Sequence, residues 1–269
     1  MKKIGNYFFV FVSVLLFFSG VDFAHSLWIN ASDYSPDFYN KFGGSTKVYF
    51  GWGHHYPVDD FLNYEELQEF SLIYPDGTKE EIKPGNGGFL ETQIRFKESG
   101  SYLVAAIKKP GYYTMFVEKG TVHHKIGPKT GLKGVILSLY YELYTKCLIN
   151  VGDVQDNSFS KPVGHKLEII PLKNPNTISG YNENYLPVKV LFKGRPARFC
   201  KIYATYAGFS TKDDFAYATS TNSEGIARIR ILHWGPWLIK ARKEIPAPDS
   251  LKDKCNTLTY TATLTFEIE

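Results

Sequence analysis

Apolar and polar residues alternate along most of this chain, and the alternation comes in short runs. "TKVYFGW" (46–52), "EFSLIY" (69–74), "LETQIRF" (90–96), "SYLVAAIK" (101–108) and "YYTMFVEKG" (112–120) are rich in β-branched and aromatic residues. Turn residues separate them: "PDG" at 75–77, "PGNGG" at 84–88 and "ESG" at 98–100. Short strands at this spacing predict an antiparallel sandwich. Residues 131–150, "GLKGVILSLYYELYTKCLIN", carry two patterns at once. Leu139, Leu143 and Cys147 recur at helical spacing, yet the run is dense in β formers, and the expectation is strand with a helical turn.

The pattern stops at "VGDVQDNSFSKPVG" (151–164), a polar stretch with Gly, Pro, Asp, Asn and Ser that reads as a linker. It then restarts in "KLEIIPL" (166–172), "YLPVKVLFKG" (185–194), "RFCKIYATYAG" (198–208), "IARIRIL" (226–232), "WLIKARK" (237–243) and "LTYTATLTFEIE" (258–269). A turn followed by "GIARIRIL" and "GPWLIKA" resembles small transthyretin-like or carboxypeptidase-regulatory-like sandwiches. The expected fold is therefore all-β, with one sandwich domain over 25–150 and a second over 160–269.

The N-terminus breaks this pattern. "MKK" precedes an apolar run, "YFFVFVSVLLFF" (7–18), of signal-peptide length and too short to span a bilayer comfortably. Residues 1–24 are thus expected to be a cleaved signal peptide, leaving a periplasmic or secreted bacterial protein with no membrane span. No cysteine follows the apolar run, which argues against a lipoprotein anchor. Two cuts are open. Cleavage after Ala24 makes His25 the new N-terminus, whose amine and imidazole can chelate one metal ion together. Cleavage after Ser26 fits the "AHS" pattern and removes His25.

Composition narrows the function. A chain of 269 residues has room for two modest domains or one large one. The net charge of +4 is spread along the sequence without a basic block, so a nucleic-acid partner is not expected. Cys147, Cys200 and Cys255 are odd in number and form no Cys-x-x-Cys pair. Cys200 and Cys255 either pair or stay as buried thiols. There is no Gly-x-Ser-x-Gly elbow, phosphate loop, dinucleotide fingerprint or His-Glu-x-x-His, and the expectation is a protein without catalytic activity.

The seven histidines carry more information. In "GWGHHYPVDD" (51–60), His54 and His55 follow a strand and precede Asp59 and Asp60. Adjacent side chains on extended backbone point opposite ways, so only one of the pair should face a given pocket. Imidazole with carboxylate suits nickel, cobalt, copper or zinc; the alternative is a solvated turn with two surface histidines. His123 and His124 sit in a polar loop beside Lys119 and Lys125, which would repel a metal. His165 opens a strand with no evident role, and His233 beside Trp234 is expected to pack against aromatics. Trp52, Trp234 and Trp237 read as core or corner residues.

"AHSLWIN", "GWGHHYPVDD", "LIYPDG" and "TATLTFEIE", in that order, resemble a bacterial family of unknown function. Its members are commonly labelled the periplasmic component of a cobalt or nickel uptake system. The resemblance covers nearly all of the chain after the apolar run. It implies a metal site at His25 and His54 with the acidic pair Asp59 and Asp60; His55 falls outside the shared Gly-His pattern and ranks lower. It also implies nickel or cobalt as the bound ion and a membrane metal transporter as partner. Two other functions stay open: a structural or adhesive sandwich module, and a copper protein with an N-terminal histidine chelate.

Overall fold

The computed structural model describes residues 25–154, 156–178 and 184–269. The expected signal peptide, 1–24, lies outside them. The fold is all-β, built from strands with four short 3₁₀ turns among the described residues. The first half holds β1 (Ser26–Ala31), β2 (Gly44–Gly53), β3 (Leu67–Ile73), β4 (Lys79–Glu81), β5 (Thr92–Phe96), β6 (Gly100–Glu118), β7 (Thr121–Ile126) and β8 (Val135–Val151). The second holds β9 (Leu167–Pro171), β10 (Tyr185–Phe192), β11 (Arg195–Pro196), β12 (Lys201–Tyr206), β13 (Tyr217–Ser220), β14 (Ile226–Arg230), β15 (Gly235–Pro246) and β16 (Thr257–Ile268).

A nine-stranded sheet runs through the molecule in the order β13-β12-β15-β16-β8-β6-β3-β4, with β7 also paired to β6. It takes strands from both halves, which meet where β8 and β16 lie parallel from Leu139–Thr257 to Cys147–Thr265. A three-stranded sheet, β1-β2-β5, covers one face, and the four strands β9, β10, β11 and β14 cover the other. Alternation along the central strands feeds both interfaces. On β6, Tyr102, Val104 and Ala106 enter the core under β1-β2-β5. Leu103 and Ala105, between them, enter the core under β9-β10-β14. β8 does the same with Leu143, Cys147 and Ile149 on one side and Tyr144 and Leu148 on the other. A strand buried on both faces reads as nearly continuous apolar sequence. That is why 131–150 looked ambiguous; Val135–Val151 is strand throughout.

Two elements differ from the pattern reading. "SYLVAAIK" and "YYTMFVEKG" are one strand, β6, in which Pro110–Gly111 marks a shift of register against β8 rather than a break. The "TVHHKI" stretch is not a loop but strand β7, hairpin-paired to the outer end of β6. In the stretch read as a linker, Ser158–Ser160 form a 3₁₀ turn whose Phe159 is buried in the second-half core. Cys147, Cys200 and Cys255 are all buried free thiols. Among the described residues no helix is long and apolar enough to cross a membrane.

Candidate metal site

The site is assembled by the pairing of β1 with β2. Their antiparallel register sets Ser26 opposite Gly53, so His25, just before β1, and His54, just after β2, meet at one end of the small sheet. The two imidazole centroids are 4.6 Å apart and nearly perpendicular. Trp52 closes the group edge-on at 5.0 Å from the His25 ring.

The loop after β2 is held at several points. Trp28 Nε1 and Asn30 Nδ2, both on the β1 face that points away from the main core, donate to the Pro57 carbonyl at 2.8 and 2.9 Å. Gly51 allows this, because a Cβ there would lie 2.0 Å from the Trp28 indole nitrogen. The Tyr56–Pro57 peptide is cis. The Asp60 N–H donates back to the Trp52 carbonyl at 2.8 Å and closes the loop.

Asp59 caps the turn inside it. Its Oδ2 accepts the backbone N–H groups of His54 (2.6 Å) and His55 (3.1 Å), and its Oδ1 lies 3.2 Å from His55 Nδ1. These hydrogen bonds hold the Asp59 carboxyl below the usual carboxylate range, against the opposing and largest effect of desolvation. Gly53, with φ of 134°, leaves room for this carboxylate; a Cβ would sit 2.2 Å from Oδ2. Gly53→Ala should therefore lower the unfolding free energy by about 1–3 kcal/mol, as expected for forced left-handed backbone. Thermal unfolding checks it: an unchanged midpoint would mean that the cap is dispensable.

Sequence reasoning thus placed His25 and His54 together, and the structure shows their side chains facing each other. The His55 ring lies 6.5 Å from that of His54 and turns its Nδ1 to Asp59 Oδ1 at 3.2 Å. Asp59 is engaged in the turn, and Asp60 Oδ1 accepts the N–H of Phe61 at 2.7 Å. Among the described residues no group of three or more His, Cys, Asp or Glu side chains is arranged as a metal cluster. The donors at hand are two imidazoles, to which an amine on His25 would add a third nitrogen. Such a set fits nickel, cobalt or copper rather than magnesium or calcium.

The surroundings shift the His25 ring towards its neutral form. Desolvation lowers its pKa first, the neighbouring His54 lowers it further and Lys108 adds to this, with Asp59 and Asp60 opposing. A neutral imidazole is the form that ligates. Lys108 is buried, 5.0 Å over the Trp52 ring, and its ammonium bonds Glu66 at 2.9 Å.

One residue near the site has no signal in the local sequence. Asp213, from the loop between β12 and β13, places its Oδ2 3.2 Å from His54 Nδ1. Alongside is a crevice of about 20 Å³, room for one water, lined by Ser26, Trp28, His54, Lys212, Phe215 and Lys240 among others. Burial brings the Lys240 ammonium down to about 8, with the charge of Asp213 acting in the other direction.

The other histidines are not at this site. His123 and His124 lie exposed on β7, against Phe116 and the Tyr113 hydroxyl. His165 is buried against Tyr144. His233 stacks on Tyr206 at 4.8 Å, the aromatic packing expected of it. Trp237 is a core residue, whereas Trp234 is 71 % exposed and Trp52 half-buried.

Comparison with known proteins gives a family and little else. No curated protein matches the chain. Among solved structures, the D0-D1 domain of intimin covers 90% of this chain and 97% of its own at 13% identity, with a TM-score of 0.22. A tetra-tandem repeat from the extending region of a large adhesion protein covers 91% and 74% at 9% identity, with a TM-score of 0.24. The D00-D0 domain of intimin covers 89% and 98% at 11% identity, with a TM-score of 0.19. Likenesses this distant carry no argument about function. A family model does match across residues 23–245, and the chain belongs to that family, the domain of unknown function DUF4198.

Proposed function

We propose that this protein is exported and captures a divalent transition metal, nickel or cobalt, through His25 and His54, passing it to a membrane transporter without itself catalysing a reaction. The observation that carries this reading is the pair of facing imidazoles, 4.6 Å apart, delivered by the register of β1 against β2. The family label associated with the sequence resemblance points the same way. The same geometry supports the first of the two possible cuts. Ser26 is the first residue of β1 and is buried opposite Gly53, so a cut after Ser26 would remove part of a paired strand. A cut after Ala24 leaves β1 whole and gives His25 a free amine. The His25 amine and ring and the His54 ring would then hold the ion, and the protein's part is to bind it and shield it beside Trp52.

Calorimetric titration of nickel, cobalt, copper and zinc into the chain that begins at His25 tests this. His54→Ala should weaken the tightest binding by about tenfold or more, which is about 1.4 kcal/mol. His123→Ala, on exposed β7, should leave it unchanged. No binding tighter than millimolar by the parent would sink the proposal. Copper as the tightest metal, with a redox-active signal, would move the assignment to a copper protein. A second reading, a structural or adhesive module, draws on exposed aromatics such as Phe42 and Trp234, 81 % and 71 % exposed. It is favoured if no metal shifts the melting temperature.

A further inference from the structure

We propose that Asp213 is a positioning residue for His54: its carboxylate holds the ring through Nδ1 and turns Nε2 into the metal donor. The inference rests on the reading of His54 as a ligand. The geometry behind it joins residues 159 apart in sequence, His54 Nδ1 and Asp213 Oδ2 at 3.2 Å. An ionised carboxylate only accepts hydrogen bonds, so this contact requires the hydrogen on Nδ1, and in the neutral ring that leaves the Nε2 lone pair free. Carboxylate–imidazole–metal arrangements orient the ligand ring and raise its basicity in this way.

The loop that carries Asp213 is built to present it. Ser210 Oγ donates to Asp214 Oδ2 at 2.9 Å and accepts the Lys212 N–H at 3.0 Å. Phe215 packs on Tyr203, ring centroids 5.0 Å apart, and against the cluster of Trp28, Tyr56 and Leu238. Trp28 is also the residue that anchors the His54 loop through Pro57. The two loops are therefore fixed to a shared set of aromatic rings, so Asp213 meets His54 at a defined place although both are partly exposed.

The test uses the chain beginning at His25, nickel ion alone, and four forms: parent, His54→Ala, Asp213→Ala and Asp213→Asn. Histidine-ring ¹⁵N–¹H spectra of the metal-free protein, at a pH of about 8 where an ordinary imidazole is neutral, should show His54 as the Nδ1–H tautomer. Asp213→Ala should release it towards Nε2–H and weaken nickel binding by about ten- to a hundredfold. Asp213→Asn keeps an acceptor oxygen and should restore the tautomer and most of the affinity, a rescue that a merely structural role does not predict. An Nε2–H tautomer in the parent, or parent-like nickel binding by Asp213→Ala, overturns the proposal while leaving metal capture intact. Asp213→Asn binding as poorly as Asp213→Ala, with the parent tautomer, makes Asp213 a direct ligand and overturns it too. A parent that binds no nickel marks the failure of the function reading, and this inference falls with it.

Discussion

Glu168→Ala should lower the unfolding free energy by about 3–5 kcal/mol, the usual cost of stranding one member of a buried ion pair. Lys146 on β8 and Glu168 on β9 meet at 2.8 Å with both side chains only 2% exposed. They join the central sheet to the four-stranded sheet inside the second-half core. Glu168 also accepts the N–H groups of Val163 at 2.6 Å and Gly164 at 3.2 Å. Removing it leaves a buried ammonium and two unmatched backbone donors together. Desolvation already pulls the Lys146 pKa down against the support of Glu168. Glu168→Gln, which retains an acceptor, should lose less than Glu168→Ala. Pairing Lys146→Met with Glu168→Leu should recover only part of the loss, since the backbone donors stay unmatched. Denaturant unfolding measures all three; a loss under about 1 kcal/mol for Glu168→Ala would mean that water reaches the pair.

Acid should destabilise this protein through one neighbouring residue more than through any surface charge. His165 lies buried against Tyr144, with no hydrogen-bond partner for Nε2. Burial, then the charges of Lys146 and Lys79, lowers its pKa to about 3. In the unfolded chain the ring takes up a proton near its ordinary value of about 6.5. Below that pH the unfolded state binds the extra proton and the native state does not, so stability present above 6.5 is lost as pH falls towards 3. At pH 4 the loss from this group should reach about 3 kcal/mol. His165→Phe keeps a ring against Tyr144 and cannot titrate. The fall in unfolding free energy between pH 7 and pH 4 should therefore be smaller in His165→Phe than in the parent by about that amount. Equal falls in the two proteins would show that His165 is hydrated in the native state.

The strands were largely legible because each is half-buried and alternates, as in β2, where Thr46, Val48 and Phe50 go inward and Lys47 stays out. The pairing of His25 with His54 came from the family resemblance, and the structure gives its physical basis: β1 and β2 lie side by side, antiparallel, and bring their flanking residues together. What the pattern could not show is lateral order. β8 and β16 are more than a hundred residues apart, and parallel pairing leaves no turn between them to mark it. Asp213 was hidden likewise, since "STKDDF" reads as an ordinary polar loop until β12 and β15 place it beside Trp28. Asp59 was found for its carboxylate, but a ligand and a turn cap have the same sequence signature. The two backbone N–H groups at its Oδ2 show the capping role.

β1 lies on the outside of its sheet, and part of what fixes it comes from far along the chain: the hydroxyls of Thr263 and Thr265 donate to the carbonyls of Leu27 and Ile29, 236 residues away. An N-terminal fragment can pair β1 with β2 by itself, but it lacks the two hydroxyl contacts that tie β1 to the last strand. Contacts of such span close slowly. The end of the small sheet that carries His25 and His54 is therefore pinned from both sides only when β16 is in its place.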